Sequence, residues 1–180
     1  MVKQITIRRA TAEDIPTLAD FAASTFRDTF EADNHPADID NYLRDSFSAK
    51  RVQEEFDDAN STFLIAYLED DDLPAGYAKL SKATQHSEVP NRKAMEIERL
   101  YAAKIAIGHG VGAALMRACL EEAEAFGSEA IWLGVWEQNV RAIRFYQRWE
   151  FETVGERQFK LGSDLQNDLV MSRNLSRVGT

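Results

Sequence analysis

Three glycines fall within five residues of the segment IAIGHGVGAALM (105–116), directly before an apolar helical pattern. Glycine loses much backbone entropy on folding and weakens a helix, so it is costly at this point of a chain. The run is formed by Gly108, Gly110 and Gly112. It predicts a turn that leads into a helix, with a backbone around which side chains have to be absent.

Three interpretations of this turn are open. The glycines can be a flexible connection to a helix, or a dinucleotide fingerprint, since Gly108, Gly110 and Ala113 match G-x-G-x-x-G/A. They can also form a pyrophosphate cradle of another kind, because N–H groups at a helix N-terminus bind anions and glycine lets phosphates approach. A predicted hairpin before the turn and a single crossover after it disfavour the dinucleotide domain, which is built from repeated βαβ units.

The hydrophobic pattern predicts structure along the whole chain, with no repeat, low-complexity segment or linker. The order of elements predicts one mixed α/β domain over residues 1–180. The predicted elements are a strand at 4–9, a helix at 11–26, a helical region at about 38–57 broken near Ser48, strands at 61–68, 75–81 and 93–103, a helix at 111–126, a strand at 129–136, a helix at 139–149, and strands at 151–161 and 165–175 around a Gly162–Ser163 turn.

Composition excludes several classes of protein. With a net charge of −9, the chain lacks the clustered basic residues of a nucleic-acid-binding protein. An acidic surface is compatible with a cationic substrate. No segment has the apolar length of a signal peptide or a membrane span, which predicts a cytoplasmic protein with no membrane partner. Cys119 is expected to be a buried core residue, with a catalytic thiol as the alternative. His86 and His109 have no evident metal partners, and the acidic run 69–74 is expected to be a solvated turn, so no metal site is expected.

Two further segments extend the pattern around the glycine turn. The preceding strand ends in LYA (100–102), and NVRAIRFY (139–146) follows the next strand, with Asn139 and Tyr146 seven residues apart. Together with IGHGVG (107–112), they resemble the GNAT superfamily of acyl-CoA-dependent N-acetyltransferases. That family's signature is a strand ending L-x-V, then Q/R-x-x-G-x-G/A, then N-x-x-A-x-x-F/L-Y. The resemblance implies an α/β fold with a mixed, mostly antiparallel sheet, flanking helices, and splayed fourth and fifth strands.

Four other segments resemble a narrower group, the PaiA-type polyamine acetyltransferases. They are STFRDTFEADN (24–34), EIERLYA (96–102), IWLGVWEQN (131–139) and FKLGSDLQNDLVM (159–171). The group's patterns are T-F-x-D-T-F, W-L-G-V-W-E-x-N and G-x-D-x-Q-x-D. This second match is more specific than the first and implies a polyamine acceptor.

Two positions depart from the family pattern. Ile107 stands where the family usually has Gln or Arg, so one polar contact at the cradle is missing. Glu150 replaces the usual glycine before the sixth strand, so the preceding helix is expected to end differently. Neither position is needed for the chemistry, and both departures are expected to weaken cofactor affinity at most.

Acetyl-CoA is the cosubstrate that the resemblance implies. Its pantetheine arm would lie between the fourth and fifth strands like an added strand, where a backbone N–H can also face the thioester carbonyl. The residues that the resemblance assigns to the cofactor are Leu100, Tyr101, Ala102, Ile107, Gly108, His109, Gly110, Val111, Gly112, Ala113, Asn139 and Tyr146.

Acetyl transfer to an amine needs an unprotonated nucleophile, an oxyanion donor and a proton for the departing thiolate. Tyr146 is the candidate acid, and a core aromatic is its alternative. Glu96 and Glu98 lie on one face of the fourth strand by its period of two, and a carboxylate between apolar neighbours is unusual. Glu96 is favoured as the base, or as the anchor of a water relay, with Glu98 as the substitute. Alternatively, one of them pairs with Arg99 or another cation.

The acceptor site is expected between the first two helices and the closing hairpin. Aromatic side chains would line a channel for a methylene chain, and acidic ones would hold distant ammonium groups; ordinary core packing is the alternative for each. The candidates are Phe26, Phe30, Trp136 and Phe159, with Asp28, Asp33 and Glu137.

The favoured function is therefore acetyl-CoA-dependent N-acetylation of a small primary amine, with direct attack in a ternary complex. One alternative keeps the fold and acetylates a peptide N-terminus, a lysine or an aminoglycoside. Another is a catalytically silent acyl-CoA-binding regulatory module. The family often forms dimers, so a homodimer is a possible assembly.

Overall fold

A computed structural model describes residues 4–89, 93–162 and 164–175 of the chain. Within them, a mixed sheet is covered by helices on both faces. The helices are α1 (Ile15–Phe30), α2 (Pro36–Phe47), α3 (Ala49–Asp57), α4 (Val111–Phe126) and α5 (Val140–Arg148), and the strands are β1 (Ile5–Arg9), β2 (Ser61–Leu68), β3 (Pro74–Ser81), β4 (Ala94–Ala102), β5 (Ala130–Trp136), β6 (Glu152–Leu161) and β7 (Asp164–Asn174).

The seven strands form one sheet in the order β1-β2-β3-β4-β5-β7-β6. Every neighbouring pair is antiparallel except β4 and β5, which run parallel. A parallel pair needs a crossover connection, and α4 supplies it. The mixed, mostly antiparallel sheet that the family resemblance implied is confirmed.

The parallel ladder between β4 and β5 stops halfway along both strands. It runs from Ala94–Ala130 to Ile97–Leu133. Beyond that point β4 stays paired with β3 as far as Ala102, and β5 stays paired with β7 as far as Trp136. The two strand ends therefore face each other across an opening, and the expected splay is confirmed.

A β-bulge in β4 lies at the start of this opening. Lys79 of β3 pairs with Arg99 and Leu80 pairs with Ile97, which leaves Glu98 as the extra residue. A bulge re-aims the side chains that follow it. Ile97 and Leu100, three residues apart, both contact the core beneath α4, whereas Glu98 and Arg99 lie on the other face of the sheet.

Each face of the sheet has its own hydrophobic core. On the α4 side, Leu115, Met116 and Cys119 are fully buried, and burial raises the pKa of the Cys119 thiol. This is the buried core cysteine that the sequence indicated. On the opposite face, α1 to α3 bury Leu18 and Ile39 against the strands.

Local signals explain most of the element boundaries. The α4 bounds are those that the sequence predicted, and the helical region at 38–57 divides where the Ser48 hydroxyl accepts a hydrogen bond from the Arg51 N–H at 3.3 Å. The first helix extends to Phe30, beyond its predicted end, and the half-buried Phe30 side chain packs against the core on that face of the sheet. Ser163 of the predicted closing turn lies outside the described residues. Among the described residues, no helix is both long and apolar enough to cross a bilayer.

The expectation that α5 ends differently without a glycine at position 150 is wrong. Glu150 itself adopts the left-handed conformation, with φ of 65°, and the Phe151 N–H donates to the Tyr146 carbonyl at 3.1 Å. This is the helix ending that a glycine would give. Glu150 is highly exposed and pairs with Arg173 at 3.1 Å, so solvent screens that ion pair.

The strain at Glu150 predicts that Glu150→Gly stabilises the protein. A left-handed side-chain-bearing residue costs about 1–2 kcal/mol, and the extra flexibility of glycine in the unfolded chain offsets part of the gain, leaving about 0.5–1 kcal/mol. Glu150→Ala is the matched control, because it removes the ion pair and keeps the strain. Denaturant unfolding that ranks Glu150→Gly at or below Glu150→Ala would contradict this account of the helix end.

Candidate active site

The glycine turn owes its composition first to backbone conformation. Gly108 and Gly110 have φ of 86° and 87°, a region that side-chain-bearing residues rarely adopt. A methyl group on Gly108 would meet no atom within 4 Å, so the space beside it is open. Gly112 has ordinary helical geometry, and a methyl group there would lie 3.6 Å from the Phe145 ring.

The start of α4 leaves N–H groups free to bind an anion. The Ala114 N–H donates to the Gly110 carbonyl at 2.9 Å and is the first to enter the helix. Among the described residues, the N–H groups of Val111, Gly112 and Ala113 find no backbone acceptor, as expected for the first turn of a helix. The side chain of Val111 is fully buried, so only its backbone faces the turn.

A cavity of about 620 Å³ passes through the opening between β4 and β5. It is lined from both faces of the sheet, because Leu100 and Ala102 pack on the α4 side while Tyr101 belongs to the opposite core. One end lies beside Gly112 and the other reaches the aromatic residues of α1 and α2. The cavity thus connects the glycine turn with the predicted acceptor region.

Basic residues line the α4 end of the cavity. Lys104 precedes the glycine turn, and Arg141 and Arg148 lie on α5; all three are exposed. Ile107 also lines this end, where the family pattern has a polar residue. Three cations therefore lie at this end of the cavity beside the apolar Ile107.

Asn139 and Tyr146 have different roles in the structure. The Asn139 side-chain oxygen accepts the Ala142 N–H at 3.2 Å, which caps α5. Tyr146 lies on that helix, lines the cavity and is almost fully buried among core residues. Burial raises the pKa of the Tyr146 phenol, so it keeps its proton at neutral pH.

The two strand carboxylates that the sequence singled out are both paired with cations. Glu98 lines the cavity and is bound to the ammonium group of Lys79, which is itself buried. Glu96 does not line the cavity and accepts a hydrogen bond from the Arg157 Nη1 at 2.9 Å. The partner proposed from sequence, Arg99, is bound elsewhere.

Arg99 forms a bidentate ion pair with Glu55 of α3, which covers the same face of the sheet as α1. Its two terminal nitrogens lie 2.7 and 3.0 Å from the carboxylate oxygens of Glu55 on α3. Lys79 Nζ lies 3.3 Å from the same carboxylate. Ion pairs with Glu55 therefore hold the bulge in β4 against α3, on the face of the sheet that α1 to α3 cover.

Arg157 spans the sheet just where the β4–β5 ladder ends. It starts on β6, lies 3.5 Å from Asp168 on β7, and reaches Glu96 on β4. On the way it covers Gly134 of β5, where a Cβ would lie 2.6 Å from the guanidinium carbon, and it stacks over the Trp132 ring at 5.7 Å. Any side chain at position 134 would displace the guanidinium.

The aromatic candidates do come together. Phe26 contacts Phe30 at a centroid distance of 4.5 Å, and Phe30 contacts Trp136 at 6.1 Å. Tyr42, which sequence reasoning missed, joins Phe26 at 4.7 Å and Phe159 at 5.6 Å. These side chains form a continuous aromatic wall at the end of the cavity opposite the glycine turn.

Acidic side chains stand along that same end. Asp28 and Asp33 are exposed and line the cavity, as does the buried Asp168. Glu137 is exposed, accepts a hydrogen bond from Asn167 at 3.2 Å, and does not line the cavity. In the part of the chain that the structure describes, no cluster of His, Cys, Asp and Glu could hold a metal ion.

Sequence reasoning missed Arg157 and Asp168. Their contacts join residues far apart in the chain, which no local pattern shows. One signal was present: Asp164, Gln166 and Asp168 alternate along β7 and so share a face of that strand.

Comparisons with known proteins identify the family to which the chain belongs. A family model described as the acetyltransferase (GNAT) family matches residues 20–151, more than half of the chain. An N-acetyltransferase of Lactobacillus delbrueckii subsp. lactis, described as uncharacterized, is 30% identical over 171 residues, covering 95% of this chain and 98% of the relative. The spermine/spermidine N(1)-acetyltransferase of Bacillus subtilis is 28% identical over 85 residues, covering 47% of this chain and 56% of the relative.

A solved structure shares the fold. The PaiA N-acetyltransferase of Thermoplasma acidophilum, crystallised in complex with coenzyme A, matches with a TM-score of 0.74 and 19% identity, over 96% of this chain and 99% of that one.

Proposed function

Since this chain belongs to the acetyltransferase (GNAT) family, and is therefore an N-acetyltransferase, we propose that it transfers an acetyl group from acetyl-CoA to a primary amine of a small polycationic molecule such as a polyamine. One observation carries the proposal. The cavity through the β4–β5 opening has basic residues at one end, and carboxylates with an aromatic wall at the other.

The basic end fits the phosphates of coenzyme A. The free N–H groups at 111–113 and the positive end of α4 favour a pyrophosphate, and the open space beside Gly108 allows it to approach. Lys104, Arg141 and Arg148 add the charge that further phosphate oxygens need. Of the residues assigned by resemblance, Gly108 to Ala113 would act through their backbone.

The opening fits the extended pantetheine arm. Residues 98–102 of β4 present the edge that β5 no longer pairs, and an extended chain can bind to such an edge as an added strand. When bound, acetyl-CoA supplies the activated thioester. Leu100, Tyr101 and Ala102 line the cavity beside the place that this thioester would occupy.

The opposite end fits a cationic acceptor. Its lining carboxylates are Asp28, Asp33, Glu98 and Asp168, against the guanidinium groups of Arg99 and Arg157. Asp28 and Asp33 stand in solvent at the far end of the aromatic wall, where a second ammonium group of a chain-like amine would reach them. Phe30 and Phe159 would contact its methylene groups, and aromatic faces also attract cations.

Tyr146 is the proton donor of the proposed reaction. Tyr146 lines the cavity near the strand ends, and because burial raises the pKa of its phenol, the phenol carries its proton when the thiolate departs. Asn139 acts indirectly, because it caps the helix that carries Tyr146. The partial match to the spermine/spermidine acetyltransferase is the support that the comparisons give for a polyamine.

The acceptor class is tested with a panel of amines in a thiol-release assay. We expect kcat/KM to fall in the order spermidine, octylamine, lysine peptide, because only spermidine has a further ammonium group that can reach the carboxylates at the far end of the aromatic wall. A lost charge-assisted hydrogen bond is worth about 1.5–3 kcal/mol, so octylamine should be roughly tenfold worse or more.

Salt provides the control for this comparison. Raising the salt concentration from about 0.1 M to 1 M shortens the screening length from about 10 Å to 3 Å, so KM for spermidine should rise while that for octylamine changes little. A preference for the peptide favours the protein-acetylating alternative. Release of no thiol with any amine favours the catalytically silent acyl-CoA-binding module and would refute the proposed enzyme.

The role of Tyr146 is tested by removing only its hydroxyl group. Tyr146→Phe should lower kcat by about 100-fold or more, since general acids contribute about 10²–10⁴, and leave coenzyme A affinity nearly unchanged. Because burial raises the Tyr146 pKa, wild-type activity should keep rising with pH through about 10, where an ordinary tyrosine titrates. Turnover of Tyr146→Phe within twofold of wild type would make Tyr146 a packing residue.

A further inference from the structure

We infer that Asp168 is the base that takes the proton from the acceptor amine, and that Arg157 is the positioning residue that holds Glu96 out of that role. The inference rests on the proposed function and names the residue that prepares its nucleophile. It departs from the sequence-based expectation, which favoured Glu96 with Glu98 as the substitute.

A base in this site has to be a carboxylate on the cavity wall that is not neutralised by a cation of its own. Asp28 and Asp33 line the cavity but are exposed to solvent at the end beside the aromatic wall. Glu98 is bound to Lys79, and the side chain of that lysine is only 7% exposed. The Glu98 carboxylate is therefore already occupied by a buried cation.

Glu96 fails the same requirement for two reasons. It does not line the cavity, and its carboxylate is the nearer partner of Arg157, at 2.9 Å. Register places it opposite Trp132, within the part of β4 that is still paired with β5. An amine in the opening would meet the Arg157 guanidinium before it reached Glu96.

Asp168 meets the requirement. It lies on β7 directly opposite Trp136, beyond the end of the β4–β5 ladder, and it lines the cavity while only 7% of the residue is exposed. Its ion pair with Arg157 is the longer of the two, with Nε and Oδ2 3.5 Å apart. The Arg157 guanidinium therefore binds Glu96 more closely than Asp168, and the ion pair of Asp168 is the weaker of the two.

The charged and titratable groups around Asp168 also favour it as the base. Arg157 faces it from β6, Tyr42 from α2, and Glu96 from β4 on the other side of Arg157. Burial raises the pKa of Asp168, and the nearby guanidinium opposes that rise without cancelling it. A carboxylate with a raised pKa is a stronger proton acceptor than an ordinary aspartate.

Arg157 contributes a second effect at the reacting nitrogen. A guanidinium beside the opening disfavours a neighbouring ammonium and so favours loss of the amine's proton. Gly134 makes this arrangement possible, because any side chain there would collide with Arg157. The distant ammonium groups of the same acceptor lie near Asp28 and Asp33 and remain charged.

The proton balance of the step is simple. The acceptor ammonium gives its proton to the Asp168 carboxylate, and the neutral amine nitrogen forms a bond to the thioester carbonyl carbon. The carbon–sulfur bond then breaks, and the thiolate takes the Tyr146 proton. The nitrogen still carries two protons at this point and loses the second to solvent as the amide forms. Asp168 also releases its proton to solvent, and Tyr146 takes one back from solvent, so the reaction yields an amide, a thiol and one proton.

The test compares Asp168→Asn, Glu96→Gln and a control, Glu156→Gln, by steady-state kinetics with acetyl-CoA and the best amine of the panel above. Glu156 is exposed on the opposite face of β6 from Arg157 and should leave activity unchanged. Asp168→Asn should lower kcat about 100-fold or more near pH 7, with KM for the amine within about threefold of wild type. This deficit should shrink towards pH 10, because the amine then arrives deprotonated.

Glu96→Gln should lose less than about tenfold and keep the wild-type pH profile, since Asp168 remains in place. Added formate should restore part of the activity of Asp168→Ala, because a small carboxylate can occupy the vacated space. This second variant keeps the inference testable should Asp168→Asn fail to fold.

Three outcomes would overturn the inference. Loss of turnover in Glu96→Gln with wild-type behaviour in Asp168→Asn would make Glu96 the base. Equal losses of kcat in Asp168→Asn and Glu96→Gln, without rescue of Asp168→Ala by formate, would mean that Glu96, Arg157 and Asp168 have only a structural role. An inactive wild type would refute the proposed function itself, a result that the amine panel shows before any variant is made.

Discussion

The opening between β4 and β5 is the constraint on which the rest of the structure depends. Both strands stay paired on their outer sides, with β3 and β7, so the sheet loses only the ladder bonds beyond Ile97 and Leu133. The exposed backbone edges still need hydrogen-bond partners, which favours an extended ligand in the gap. The glycine turn lies at one side of this opening and the aromatic wall at the other, and the cavity through the opening connects them.

Charge is distributed about the opening in a way that separates two ligands. Basic side chains and free N–H groups gather where α4 begins and along α5, while carboxylates and aromatic rings gather where α1 and α2 meet the closing hairpin. Arg157 lies at the boundary, across Gly134, and joins carboxylates from two other strands. A single arginine thus connects three strands at the level where the ladder ends, which is where we propose that the acceptor's reacting nitrogen lies.

The fold was largely predictable from sequence because its signals are local. The bounds of α4 follow from glycines at both ends, and the break at Ser48 follows from a capping hydroxyl. The conformation of the glycine turn was predictable for the same reason. The partners of Glu96 and Glu98 were not, because Arg157 and Lys79 come from other strands and are set by register. Glu150 shows the opposite limit, since it adopts a left-handed conformation that its residue type disfavours.

A crystal structure of the protein with coenzyme A bound tests the central claim most directly. The account predicts pyrophosphate oxygens within hydrogen-bond distance of the N–H groups of Val111, Gly112 and Ala113. It also predicts a pantetheine arm that pairs with residues 98–102 of β4 and brings the thiol beside Tyr146. Coenzyme A bound outside the β4–β5 opening, or with its pyrophosphate away from the glycine turn, would contradict it.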